Sequence, residues 1–209
     1  MSEARSAIFS AIREALGRGP IAAPAPRPAH TRPAFDGDLV ARLCTKLEGR
    51  AATTERLAAI EHVPQAVARY LQRQRLPPPI DVAPALAGLA WPAELTRRVG
   101  RAGIDSTVSV TPCLAAIAEA GSLMLLSGAS TPTTLNFVPE HHLVVVHAAQ
   151  VVKHVEDAWV RLRGYVADTG GIPRTINMIS GPSRTADIEQ TIQLGAHGPR
   201  RLHVMVVED

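Results

Sequence analysis

The sequence predicts an α/β fold: a Rossmann-like, largely parallel sheet with helices on both faces. Two observations carry this expectation. The apolar runs "SLMLL", "LVVV" and "VMVV" are continuous rather than alternating, and helix-patterned stretches lie between them; strands covered on both faces read this way. The 209 residues are 46% hydrophobic but only 3% aromatic, so the core must be built from Val, Leu, Ile and Ala, which suits α/β packing better than an aromatic-rich sandwich.

The elements follow in order. Ile8, Ile12 and Leu16 recur at helical spacing, predicting an amphipathic first helix with Ser2 as N-cap and a stop at Gly17 to Gly19. "GPIAAPAPRPAHTRPAF" is dense in proline, which removes backbone donors and disfavours helix at each preceding residue, so an extended tether is expected. This divides the chain into residues 1–35, a helix on a leash, and residues 36–209, a compact domain. Leu39, Val40, Leu43 and Leu47 share one helical face, a short strand is expected near 51–54, and "VPQAVARYLQRQ" reads as a helix stopped by Pro77, Pro78 and Pro79. "IDVAPALAGLAWPAEL" suggests a short strand near Ile80 and a helical turn after Trp91. From Thr107 the pattern reads strand "TVSVT", helix "PCLAAIAEA", strand "SLMLLSG", strand "HHLVVVHAA", helix "VEDAWVRLRGYV", strand "RTINMIS", helix "TADIEQTIQLG" and strand "RRLHVMVVED".

Composition narrows the function. The net charge of +3 comes from scattered arginines rather than a basic tract, and few aromatics are available for base stacking, so nucleic acid is disfavoured as a partner. Cys44 and Cys113 are the only cysteines and form no C-x-x-C, which leaves neither an iron–sulfur ligand set nor a disulfide framework. None of the eight histidines falls in an H-E-x-x-H arrangement, and His141 and His142 point to opposite faces of a strand, so no metal site is expected. No run approaches the roughly 20 apolar residues of a membrane span. With no signal-peptide pattern at the N-terminus, a cytoplasmic protein is expected.

Three stretches hold groups capable of chemistry. "ISGPSRTADIE" places Ser180, Gly181, Ser183, Arg184 and Thr185 between an expected strand and an expected helix. Such a loop lies at the carboxyl edge of a parallel sheet, where helix N-terminal N–H groups favour anions. Asp187 and Glu189 already complement a helix dipole, so a plain capped turn competes with an anion site. Glu119, before Gly121, is a candidate base or nucleophile, or a solvent-facing residue at a helix end. The hydroxyl-rich loop from Ser127 and Gly128 to Asn136 lines the same crevice or forms an ordinary turn, and His142 stands at the mouth of an apolar strand.

"IAEAGSLMLLSG", "VPEHHLVVVHAAQVV" and "ISGPSRTADIEQTIQLGAHGPRRLHVMVV" together resemble the LUD domain family and, within it, the lactate utilization protein C group, from about Thr107 to Val207. The resemblance implies a fold like that of the sugar-phosphate isomerase and CoA-transferase superfamily. It also implies a role beside iron–sulfur partner subunits in oxidising L-lactate to pyruvate, with the clusters in those partners and no cofactor on this chain. It points to Glu119, Gly121, Ser127, His142, Gly181, Pro182, Ser183, Arg184, Thr185, Asp187, Glu189 and Gly195 to Pro199, and gives the Ser183–Arg184 loop a dual role as helix cap and border of a ligand crevice. Two positions depart from the family pattern: Ala120 and Ser122 stand where A-E-T-G-T is common, and Thr131 and Thr133 where many members carry basic residues. The rival expectation is an autonomous isomerase or transferase acting on a small carboxylate or phosphate, with Glu119 as base or nucleophile. A homo-oligomer is left open.

Overall fold

A computed structural model describes residues 3–17, 31–188 and 191–209. The expected N-cap Ser2, most of the proline-rich tether and Glu189 lie outside the described residues. The chain divides into two units, Met1–Arg32 and Pro33–Asp209. In the first, α1 (Glu3–Ala15) has no buried residue. Its apolar positions Ile8, Phe9 and Ile12 are exposed.

The second unit contains every other element. α2 (Leu39–Glu48) begins at Asp38, whose carboxylate accepts from the backbone N–H groups of Val40 and Ala41, satisfying two of the donors a helix start leaves open. β1 (Thr53–Leu57) follows, then α3 (Val63–Gln74), which has Pro64 in its first turn, where a missing N–H is harmless. β2 (Ile80–Val82) and β3 (Arg97–Val99) are short. Then come β4 (Val108–Pro112), β5 (Ala115–Ile117), β6 (Ser122–Leu126) and α4 (Thr134–Phe137). β7 (His141–His147), β8 (Val151–Val152), α5 (Val155–Thr169) and β9 (Ile176–Ile179) follow. β10 (Arg184–Ile188), β11 (Thr191–Leu194) and β12 (Arg201–Val207) close the chain.

Six strands form a parallel sheet in the order β1-β12-β7-β4-β2-β3. Strand alternation sorts its side chains into two cores. Leu143, Val145, Met205 and Val207 meet Val63, Val67, Tyr70 and Leu71 of α3. Val144, Val146, Val204 and Val206 meet Leu43 and Leu47 of α2, together with Leu123 and Leu125 of β6. The second face is therefore covered partly by another sheet, β8-β5-β6-β9, in which β6 runs antiparallel to β5 and β9. The far face of that sheet packs Ile117, Met124 and Leu126 against Ala158 and Leu162 of α5. The expected α/β class and parallel sheet are present, with this added antiparallel layer.

Two expected elements are corrected. Residues 112–120 form no helix: Ala115 to Ile117 make β5, and Ala115, Ala116, Ile117 and Ala118 are all fully buried. Small side chains let this strand sit between two apolar layers, and that burial overrides alanine's helix propensity. The described residues of 185–195 form no helix either; β10 and β11 pair antiparallel with a register irregularity. The turn expected after Trp91 is present, closed by the Leu95 N–H donating to the Pro92 carbonyl at 3.0 Å. A further 3-10 turn, Pro84–Leu86, precedes it, and its Leu86 carbonyl accepts from the Trp91 indole at 3.0 Å. The unexpected edge strand β3 is tied in by Arg98, whose Nε and Nη2 donate to the buried Asp81 at 2.8 and 2.9 Å. This bidentate pair is a strong, directional contact.

The β5–β6 turn depends on Gly121, which has φ +61°; a Cβ there would lie 2.5 Å from Lys46 Cβ and 3.2 Å from its carbonyl carbon, on α2. Gly121→Ala is expected to lower unfolding free energy by at least the left-handed backbone cost of about 1–2 kcal/mol. A urea titration checks this; an unchanged midpoint would show that the turn tolerates a side chain.

Candidate functional site

The Ser180–Arg184 loop leaves β9, not a strand of the parallel sheet, and this moves it to the amino ends of β7 and β12 rather than the expected carboxyl edge. Ser183 N donates to the Pro199 carbonyl at 2.8 Å, and Ser183 O accepts from Gly195 N at 2.9 Å, so the loop is stitched to the segment entering β12. Ser180 Oγ lies 2.5 Å from Ser122 Oγ at the start of β6. Gly181, at φ +145°, brings the chain against Arg50, whose carbonyl oxygen would stand 3.1 Å from a Cβ. With no helix following, neither the helix-dipole argument for an anion nor the cap role of Thr185 applies; Thr185 lies in β10.

A cavity of about 300 Å³ opens beside this loop. Its lining brings together His142, Gly181, Ser183, Arg184 and His197 from the sequence expectation and adds Asn136 and Leu202. Among the described residues no Asp or Glu lines it, and Arg184 is the permanently charged side chain in that lining. His142 and Leu202 are the second residues of β7 and β12, paired in register. His142 is 1% exposed; Nε2 lies 2.7 Å from Thr111 Oγ1 on β4, and Nδ1 is buried without a hydrogen-bond partner. Burial alone pushes His142 down to about 3, so the ring is neutral at pH 7 and presents one uncommitted nitrogen. As expected, His141 faces the other way, its Nδ1 2.9 Å from the Tyr70 hydroxyl of α3.

The remaining candidates lie elsewhere. Ser127 and Gly128 line a separate cavity of about 860 Å³. Ser127 is locked to Thr175, its N–H donating to the Thr175 carbonyl at 3.0 Å and its Oγ accepting from Thr175 N at 2.8 Å. Thr175 precedes β9 and Ser180 follows it, so the two hydroxyl-rich loops leave opposite ends of one strand, roughly 16 Å apart at strand rise, and do not share a crevice. Arg101 and Arg174, which sequence reasoning did not single out, line this second cavity and supply the positive charge that the Thr131–Thr133 segment lacks. Glu119 follows β5; its Oε2 lies 3.1 Å from His154 Nδ1 at the start of α5, where Phe35 packs edge-on against the imidazole at 5.4 Å. Glu119 lines neither cavity. A third opening, of about 600 Å³, adjoins the first through Phe137, His197 and Gly198 and reaches Glu140 and Arg200.

The resemblance already pointed to His197, which stands in the "GAHGP" run, but nothing in the sequence assigned Asn136 or Thr111 to this place, because their roles depend on register across the sheet. Among the described residues, no group of three or more His, Cys, Asp or Glu side chains is placed to hold a metal ion. No described helix is long and apolar enough to cross a membrane.

The LUD domain family matches residues 50–207, which include the whole lining of the first cavity. The chain belongs to the LUD domain family. Among its relatives, lactate utilization protein C of Geobacillus thermodenitrificans is 31% identical over 129 residues, a match spanning 57% of this chain and 54% of that protein. The protein of the same name from Halalkalibacterium halodurans is 25% identical over 233 residues, covering both chains in full. A solved DUF162 family protein of Deinococcus radiodurans superposes with a TM-score of 0.60 at 22% identity, covering 84% of this chain and 99% of that one, and so shares the fold.

Buried neutral histidines in this LUD domain make its stability pH-dependent. His142 is pushed to about 3 and His203 to about 4, and His141 is also lowered, from an ordinary value of 6.5. Because the folded values lie below the unfolded one, the stabilisation is complete above pH 6.5 and is lost as pH falls towards the folded values. Between pH 6.5 and 5, above the usual carboxylate range, each such histidine should remove up to about 1.4 kcal/mol per pH unit. Urea midpoints across that interval test this; flat stability would mean that the rings titrate normally.

Proposed function

We propose that this LUD domain protein is the lactate utilization protein C-like component of a system that oxidises L-lactate to pyruvate together with iron–sulfur partner subunits. The names of its relatives support the reading, and so does its cysteine content. An iron–sulfur cluster needs several thiolates converging on it. Cys44 and Cys113 are the chain's only cysteines, and burial pushes the Cys113 thiol up to about 12, which disfavours thiolate. The two residues do not fit a cluster, and electron transfer in this reading belongs to the partners.

One observation carries the ligand part of the reading: a cavity of about 300 Å³ lined by Arg184, Ser183 and two histidines, with no carboxylate among the described residues. A small carboxylate such as lactate or pyruvate can lie on the Arg184 guanidinium, with the Ser183 hydroxyl as a further donor and the neutral His142 beside it. Asn136 adds an amide to the same lining. The rival reading, an isomerase or transferase with Glu119 as base or nucleophile, has less support, since Glu119 is bonded to His154 and lies outside this cavity.

Titration with lactate, pyruvate and phosphate esters should give saturable binding that Arg184→Ala weakens by about 1.5–3 kcal/mol, the worth of a charge-assisted contact. Folding should be almost unchanged, because Arg184 is exposed. Absence of saturable binding to the wild type removes the ligand role; an Arg184→Ala chain that does not fold makes the arginine structural.

In this reading α1 meets the partner subunits through Ile8, Phe9 and Ile12, which form its exposed apolar positions. Deleting residues 1–33 should leave the melting temperature of the remaining domain nearly unchanged. It should also reduce recovery of cysteine-rich iron–sulfur proteins from lactate-grown cells. A large loss of stability would instead assign the helix to the domain's own core.

A further inference from the structure

The face of the parallel sheet that meets α3 carries a polar group that the proposed function does not use. Thr53 and Glu55 of β1 and His203 of β12 share this face, with Thr53 and His203 paired in register. His203 Nδ1 lies 2.7 Å from Thr53 Oγ1. The Tyr70 ring packs on the imidazole, centroids 4.8 Å apart and planes 31° from parallel. Glu55 accepts from Arg69 Nη2 at 2.7 Å and from Arg73 Nη2 at 3.2 Å. A cavity of about 410 Å³ opens among Thr53, Glu55, Tyr70, Arg73, Gln74 and His203.

Donor and acceptor accounting leaves one group without a partner. His203 is 3% exposed, yet its Nε2 makes no hydrogen bond; Glu55 Oε2 stands 3.6 Å away, beyond bonding distance. A buried polar atom left unpaired is costly and calls for an explanation. The Thr53 hydroxyl can serve Nδ1 as donor or as acceptor, so Nε2 offers either a lone pair or an N–H. A hydroxyl satisfies both cases, because it donates and accepts, and it can also donate to Glu55.

Charge adds a second requirement. The ionised groups facing the imidazole and its Tyr70 neighbour are Glu55 on β1, Arg69 and Arg73 on α3, and Arg201 on β12: one carboxylate against three guanidiniums. His203 is pushed down to about 4 by burial, Tyr70 is raised to about 12 and His141 is lowered, so these three stay neutral at pH 7. Arg73 is 55% exposed at the rim and bonds Glu55 through Nη2, leaving N–H groups of its fork for an incoming anion.

We propose that this cavity is a second ligand site, one that binds a small anion carrying a hydroxyl group. The hydroxyl lies against His203 Nε2 and Glu55, and the carboxylate or phosphate lies on Arg73.

The full chain should be titrated with glycolate and with glycerol 3-phosphate, which distinguish a carboxylate from a phosphate, while the His203 ring resonances are followed by NMR. At least one probe should move them saturably. Its hydroxyl-free counterpart, acetate or methyl phosphate, should bind at least about tenfold more weakly. Arg73→Ala, at an exposed position where the fold should survive, should weaken binding by a similar factor. Arg184→Ala should leave it unchanged, which separates this site from the cavity beside Ser183. The proposal is overturned if neither probe moves the His203 signals, if the hydroxyl-free counterpart binds equally well, or if Arg184→Ala rather than Arg73→Ala abolishes the effect.

Discussion

Coverage of the parallel sheet on both faces is the constraint on which the rest of the structure depends. A polar side chain on β4, β7 or β12 cannot turn to water on either side; it must find a partner within the protein or carry the cost of having none. Two of the buried histidines, His142 and His203, resolve this in the same way. His142 takes the Thr111 hydroxyl of β4 on one face, and His203 takes the Thr53 hydroxyl of β1 on the other. Each uses one ring nitrogen on a neighbouring strand and keeps the second unpaired, and each lines a cavity near the amino ends of its strands. Apolar side chains at these positions would pack the same sheet without leaving nitrogens unsatisfied. The two proposed ligands would each supply the partner that these nitrogens lack.

Their electrostatics differ. Among the described residues the cavity beside Ser183 has an arginine and no carboxylate, so it suits a bare anionic group. The α3 cavity sets Glu55 between two arginines, which tempers its positive charge and adds an acceptor suited to a hydroxyl. The sheet separates the two, since His142 and His203 project to opposite faces of adjacent paired strands. Neither site needs the other to be filled.

Much of the fold was legible because parallel strands buried on both faces have no alternation to obscure them. "LVVV" in β7 and "VMVV" in β12 admit few other readings, and α3 was bounded by its own proline signals. The failures share a cause. β5 is alanine-rich and its local preference is helical; only the two apolar layers around it make it a strand. Residues 185–195 place Ile188 and Ile192 four apart, as a helix would, yet the backbone there pairs as two antiparallel strands. β3 has almost no apolar signal because an ion pair, Arg98 with Asp81, ties it to its neighbour. For β5 and β3 the deciding partners lie on other elements.

The same logic governs the site. The Gly181–Arg184 stretch was identified from its composition, but its expected position relied on a helix that does not form. An antiparallel strand, β9, delivers the loop to the amino ends of β7 and β12, where no helix dipole assists an anion and the charge must come from side chains. Selectivity at such a place depends on which charges are kept out as much as on which are present. Arg184 is held beside a neutral His142, and Glu119, the carboxylate that sequence reasoning placed with them, is engaged by His154 across the smaller sheet. With that carboxylate outside the cavity, the described lining carries positive charge only, which is the electrostatic setting that the proposed small anion requires.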